Sequence, residues 1–196
     1  DEAALLFRPA DTGRADRDST RLFAQAAVLD AALRADRPRT DPVRFADRCL
    51  AVAEIWGFLG AMPHHHDLLA LARRASPRHP VVLHNLGTAK MARGRYEAAL
   101  AHFEQAVAVN PRQVVSLVNA GVCLARLGRH GAAGDAFAEA VADEPGSFDA
   151  WANLALAEAR AGDSVAARRA IDRALAIDPG ADRLRRLRRD LPPRSP

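Results

Sequence analysis

Three sets of side chains in this sequence have the type and spacing to do chemistry. His64, His65 and His66, followed by Asp67, are the one metal-like cluster. Adjacent histidines on a helix project roughly 100 degrees apart and cannot share an ion in cis. The stretch AMPHHHD is therefore expected to be a solvated turn, with no metal bound. Arg183, Arg185, Arg186, Arg188 and Arg189 are dense enough to neutralise phosphates. No aromatic residue interleaves with them to stack bases, so a solvated charged face and no nucleic acid partner are expected. The third set is Asn85, Asn119 and Asn153, which recur at an interval of 34 residues. Each amide offers one acceptor and two donors.

No pattern supplies a reaction centre. The sequence contains no P-loop, no G-x-S-x-G and no H-E-x-x-H, so the chain is expected to be non-catalytic and to need no cofactor. Cys49 and Cys123 are the only cysteines, each inside an apolar helical pattern, and they read as small buried thiols. Trp56 and Trp151 lie on apolar helix faces and are expected to pack in the core. No apolar run reaches the length of about 18 residues that a membrane span requires, so no membrane partner is expected. The chain begins at Asp1 and so reads as processed or trimmed; the cytoplasm is the default expectation.

The interval between the asparagines belongs to the whole segment from Pro80 to Pro179. Gly94, Gly128 and Gly162 coincide at the same shift, as do Ala99, Ala133 and Ala167, then Ala106, Ala140 and Ala174, and finally Pro111, Pro145 and Pro179. So many coincidences in three successive copies make a tandem array. Within a copy, Leu83, Leu86 and Ala89 recur at helical spacing, Gly94 interrupts, and Ala98, Ala99, Phe103, Ala106 and Val107 resume the period. This predicts two amphipathic helices around a tight turn. Small residues at Gly87, Gly121 and Ala155 let the two helices approach, and Phe103, Phe137 and Ile171 fill the seam. Neither helix can bury its stripe alone, so the copies must stack.

The period, the helix-turn-helix reading and the run N-L-G, G-R-Y, A-x3-F-x2-A and N-P resemble the tetratricopeptide repeat. The first copy carries Leu83, Leu86, Gly87, Gly94, Tyr96, Ala99, Phe103, Ala106 and Pro111, and the third has Trp151 at its start. The chain departs from the family at Lys90 and Glu158, where a large apolar side chain is preferred, and at His130 and Ser164, which replace the aromatic of Tyr96. The resemblance implies an all-α, right-handed solenoid. It also implies that the first helix of each copy lines a concave groove.

By that resemblance Asn85, Asn119 and Asn153 point into the groove, where their amides would bond the N–H and C=O groups of an extended peptide without reading its side chains. His84, Thr88 and Met91 in the first copy, Val118, Val122 and Arg126 in the second, and Leu156 and Arg160 in the third would share that face. The groove is then mildly apolar with cationic points at one edge, suited to a segment carrying Leu or Val and a carboxylate. The family's chaperone-binding members clamp a terminal carboxylate with Lys, Asn and Arg; His84 and Val118 fill the lysine positions here, so that clamp is not expected.

The rest of the chain follows from the same register. Residues 1–17 read as a tail, and a helix from near Ser19 to about Ala35 precedes the array. Asp41 and Pro42 are an N-cap and a first-turn proline for a strongly apolar helix over 43–59. Gly60, Ala72 and Pro77 fall under Gly94, Ala106 and Pro111, so a degenerate copy occupies about 46–79 within an N-terminal region of 18–79. Complete repeats are predicted at 80–113, 114–147 and 148–181, and a basic capping helix and tail at 182–196. Residues 180–196 hold six arginines against Asp182 and Asp190, a surplus of four that equals the whole chain's formal net charge of +4. The array therefore carries no net basic bias. The expected function is a non-catalytic adaptor or scaffold whose partner is a protein or peptide segment. The alternatives are a substrate-recruiting arm of a larger enzyme, such as a glycosyltransferase or a hydroxylase, and a scaffold that self-associates through helix 43–59 into a homo-oligomer.

Overall fold

The structure, a computed structural model, describes residues 17–35 and 41–192. Among the described residues every regular element is an α-helix, and these fall into two compact units, residues 1–77 and residues 78–196. The all-α solenoid class expected from the repeats is the class observed.

The first unit contains α1 (Arg17–Ala35), α2 (Pro42–Phe58) and α3 (Met62–Ala75). The expected cap at α2 is present: the Asp41 carboxylate accepts from the backbone N–H of Val43 at 2.8 Å and of Arg44 at 3.0 Å, with Pro42 in the first turn. That arrangement satisfies two of the donors a helix start leaves open. Trp56 anchors the unit, fully buried, with Phe23 from α1 edge-on at 5.0 Å and the His64 ring stacked on it at 4.5 Å. The expected solvated turn at the histidines is corrected here. Met62 and Pro63 open α3, a position where proline costs no backbone hydrogen bond, so all three histidines are helical. His65 Nδ1 lies 2.8 Å from the Ala53 carbonyl, and His64 lies 3.5 Å from the buried carboxylate of Asp30, which Arg34 also holds at 2.7 Å.

The second unit runs α4 (Pro80–Met91), α5 (Tyr96–Val109), α6 (Val114–Arg126), α7 (His130–Asp143), α8 (Phe148–Ala161), α9 (Ser164–Ile177) and α10 (Asp182–Asp190). Each helix packs on its neighbours in sequence, and the first helices of successive hairpins also touch, α4 with α6 and α6 with α8. Gly94, Gly128 and Gly162 turn each hairpin with φ of 69, 77 and 91 degrees. That left-handed region costs glycine nothing and a side chain appreciably more, which explains why the residue recurs.

The hairpin seams are as tight as the small residues predict. A Cβ on Gly87 would stand 2.6 Å from the Phe103 ring, and one on Gly121 would stand 2.7 Å from the Phe137 ring. Both rings are buried, together with Ile171 in the third hairpin and the alanine series Ala106, Ala140 and Ala174. Truncating either ring to alanine would cost about 3–5 kcal/mol by the usual cavity penalty. Cys49 and Cys123 are both buried, and burial pushes the Cys123 thiol up to about 11. Trp151 is partly buried against the core and donates to the Pro145 carbonyl at 2.8 Å.

Candidate functional site

A concavity of about 340 Å³ lies between α6 and α8, two of the paired first helices. Their register follows from the period: Val122 and Arg126 on α6 stand one repeat before Leu156 and Arg160 on α8. All four line the cavity together with Asn153, so five residues singled out in the sequence converge there. Ala125, Ala157 and the Phe137 ring complete the wall. Ala125 and Ala157 were not singled out from sequence, and Phe137 was expected only as the filler of the seam. Their signal was smallness next to a large ring at the seam, which reads as core and not as floor.

Apolar side chains thus form the base and two guanidinium groups the rim. Arg126 and Arg160 are exposed, and among the described residues neither forms an ion pair with a carboxylate. The Arg126 guanidinium stands 6.0 Å from the centre of the Tyr96 ring, a cation–π geometry that steadies it without neutralising it. The cavity is therefore electropositive at its edge. A rigid planar guanidinium with five donors suits carboxylates and peptide carbonyls.

The asparagines are partly buried in all three repeats, and among the described residues none of the three amides has a side-chain hydrogen-bond partner. Asn153 borders the cavity; Asn85 and Asn119 hold the equivalent register on α4 and α6. A part-buried amide without an internal partner keeps its donors and acceptor for water or a ligand.

The remaining predicted residues are placed differently. His84 is half-buried, shares a 2.9 Å hydrogen bond with Ser116 Oγ, and has its ring 5.5 Å from that of Phe103. Burial lowers its pKa below the ordinary histidine value. It works in the seam between α4 and α6. Thr88 is exposed and donates to the His84 carbonyl at 3.1 Å. Val118 is partly buried on the flank of the core, and Met91 packs beside the Phe103 cluster.

Among the described residues no group of three or more His, Cys, Asp or Glu is arranged to hold a metal ion, and no helix is long and apolar enough to cross a membrane. The histidines of α3 are spread over different neighbours, Trp56 and Asp30 for His64 and the α2 backbone for His65.

Solved structures with the same architecture are numerous. YrrB, described as a TPR protein with an unusual peptide-binding site, superposes with a TM-score of 0.67 at 22% identity, covering 88% of this chain and 86% of that one. The first TPR of Spaghetti (RPAP3), bound to the HSP90 peptide SRMEEVD, gives 0.55 at 20% identity over 57% of this chain and 89% of that one. The Sgt2 TPR domain from Aspergillus fumigatus gives 0.53 at 23% identity over 60% and 87%. No curated protein sequence matches the chain. Two tetratricopeptide-repeat family models match residues 84–147 and 124–191, so that between them they run from within α4 to the end of α10. With the 34-residue register, the left-handed glycines and the glycine-on-phenylalanine seams already in place, these matches establish that the chain belongs to the tetratricopeptide repeat family.

Proposed function

We propose that the chain is a protein-interaction module that holds an extended peptide segment along α4, α6 and α8. The observation that carries this reading is the cavity between α6 and α8, where an apolar base meets an amide with no hydrogen-bond partner and two arginines with no ion-pair partner among the described residues. An extended peptide presents alternating side chains and one N–H and one C=O per residue. The apolar base accepts a Leu or Val side chain, the asparagines bond the backbone, and Arg126 and Arg160 attract a neighbouring carboxylate. Two of the similar structures are described by their peptide or peptide-binding site, which supports this use of the fold while leaving the ligand of this chain to be found by its own chemistry.

The test is capture from a library of extended peptides that vary an apolar residue and a neighbouring acidic residue independently. The reading expects enrichment of peptides carrying both, and loss of acidic preference in Arg126→Glu with Arg160→Glu. Enrichment that ignores both features, or that persists unchanged in the arginine variant, would reject it. Retention should also fall with added salt, since exposed charges are screened within about 10 Å at 0.1 M ionic strength.

A further inference from the structure

The two arginines on the rim of the cavity between α6 and α8 hold one register, yet their surroundings differ. Arg126 stands 6.0 Å from the centre of the Tyr96 ring. Shifted by one repeat, Tyr96 becomes His130 and Arg126 becomes Arg160. Among the described residues Arg160 has no contact with an aromatic ring. The array thus presents the same guanidinium twice, once against a phenol ring and once in a repeat where histidine has replaced that ring.

The ring against Arg126 is firmly set. Tyr96 opens α5, is partly buried, and packs beside Met91, Leu124 and Leu127 on a buried cluster that includes Phe103 and Cys123. Arg126 lines the cavity and Tyr96 does not, so any influence of the ring on a ligand passes through the guanidinium. A cation over the face of a tyrosine is attracted by the ring quadrupole, and the N–H donors of the guanidinium, which lie in its own plane, remain available to a carboxylate. Binding has to order long side chains, and one already seated on a ring has less freedom to lose. An imidazole is not an equivalent seat: it carries its own donor and acceptor, and once protonated it is itself a cation.

We propose, resting on the peptide reading above, that Tyr96 is a positioning residue that makes Arg126 the carboxylate reader of the groove and leaves Arg160 as a general cationic edge. The ligand is then an extended segment with one specifying Asp or Glu on the α6 side of the cavity, next to the apolar residue that rests on Val122 and Leu156. A further acidic residue on the α8 side gains only the weak, salt-screened attraction of an exposed charge. The other role open to Tyr96 is packing alone, and substitution separates the two: packing acts on every ligand equally, whereas seating Arg126 acts only on ligands that carry the carboxylate.

The test uses the whole chain and the acidic peptides enriched from the library, each paired with a counterpart in which Asp or Glu is replaced by Asn or Gln. The readout is the ratio of the two affinities on one protein, so that a change in folding acts on both peptides alike. Tyr96→Leu should lower this ratio about two- to fivefold, the effect of one cation–π contact at an exposed site, and Tyr96→Phe should keep it. In an Arg126→Gln background Tyr96→Leu should have no further effect, whereas in an Arg160→Gln background its effect should persist in full. Three results would each overturn the inference while leaving the peptide reading in place: an effect of Tyr96→Leu that survives Arg126→Gln, a Tyr96→Phe protein that behaves like Tyr96→Leu, or a ratio untouched by either change at Tyr96. A library that shows no acidic preference at all would overturn both.

Discussion

Glu158 and Gly134 occupy one slot: the Glu158 Oε1 lies 2.8 Å from the point where a Cβ on Gly134 would stand. One repeat earlier the same two positions are Leu124 and Leu100, which pack in a single apolar cluster. One repeat later they are Pro192 and Arg168, and the Arg168 guanidinium donates to the carbonyls of Leu191 and Pro192. The three seams of the array therefore use apolar contact, a small residue under a carboxylate, and a cation on backbone carbonyls.

A carboxylate in that slot makes one seam sensitive to pH. Partial burial raises the Glu158 pKa, with Asp163 and Asp135 adding to the shift. An acid whose folded-state pKa is raised binds its proton more readily folded than unfolded, so its stabilising contribution is present at acidic pH and is lost as pH rises through the raised value. Urea midpoints measured from mildly acidic to neutral pH should show this decline in the wild type. Glu158→Gln should flatten it; an unchanged slope would place the titration elsewhere.

The glycines at the seams should respond unequally to alanine. Replacing a mid-helix glycine favours the helix by about 0.5–1 kcal/mol. At Gly134 the obstructing atom is the end of a flexible Glu158 side chain that can swing away, so Gly134→Ala should be neutral or stabilising. At Gly121 the obstruction is the buried Phe137 ring. Overpacking there costs about 1–3 kcal/mol, and Gly121→Ala should be the clearly less stable of the two in thermal melts.

Ala106 and Ala140 are completely buried within α5 and α7. Ala106→Leu and Ala140→Leu should each destabilise by about 1–3 kcal/mol through overpacking. Chemical denaturation of each variant measures this, and unchanged midpoints would mean that the helix faces are misassigned.

His84 should act in the opposite direction to Glu158. Burial holds its pKa below the ordinary value, so the unfolded chain takes up the proton first. Stability is then retained above the unfolded histidine value and declines as pH falls through it. The double variant His84→Val with Ser116→Ala places an apolar pair in the seam, and it should remove this acid sensitivity without leaving the Ser116 hydroxyl unpaired.

The hairpins, their turns and their tight seams were legible because the period forces the same packing problem three times, and each time a small residue (Gly87, Gly121, Ala155) faces a large one (Phe103, Phe137, Ile171). The second-helix pairing was not legible in full. Glu158 alone looks like a weakened seam, and only with Gly134, twenty-four residues earlier in the chain, does it become a fitted one. The histidines misled for a local reason: three polar rings beside Met62 and Pro63 suggest a turn, whereas proline in a first helical turn is a helix start. His84 was assigned to the groove by register, but register cannot reveal the Ser116 hydroxyl opposite, which the other copies replace with Val82 and Ala150. Five of the eleven predicted groove residues, Val122, Arg126, Asn153, Leu156 and Arg160, meet at the cavity between α6 and α8. Asn85 and Asn119 hold the same register on α4 and α6 but do not line that cavity, because register fixes the face a residue shares and not the concavity it borders.

The asparagine row is where the functional reading is most exposed to contradiction. Each backbone hydrogen bond from an amide contributes about 0.5–1.5 kcal/mol net, so a single substitution is a weak probe and three together are a strong one. The decisive measurement is calorimetric titration of one library-selected peptide into the wild type and into Asn85→Ala with Asn119→Ala and Asn153→Ala, with melting curves for both. The amides are not in the core, so the variant should melt with the wild type and bind about ten- to a thousandfold more weakly, the equivalent of roughly 1.5–4.5 kcal/mol. Equal affinity in a fully folded variant would contradict backbone reading by the asparagines and move the interaction to another face of the helices.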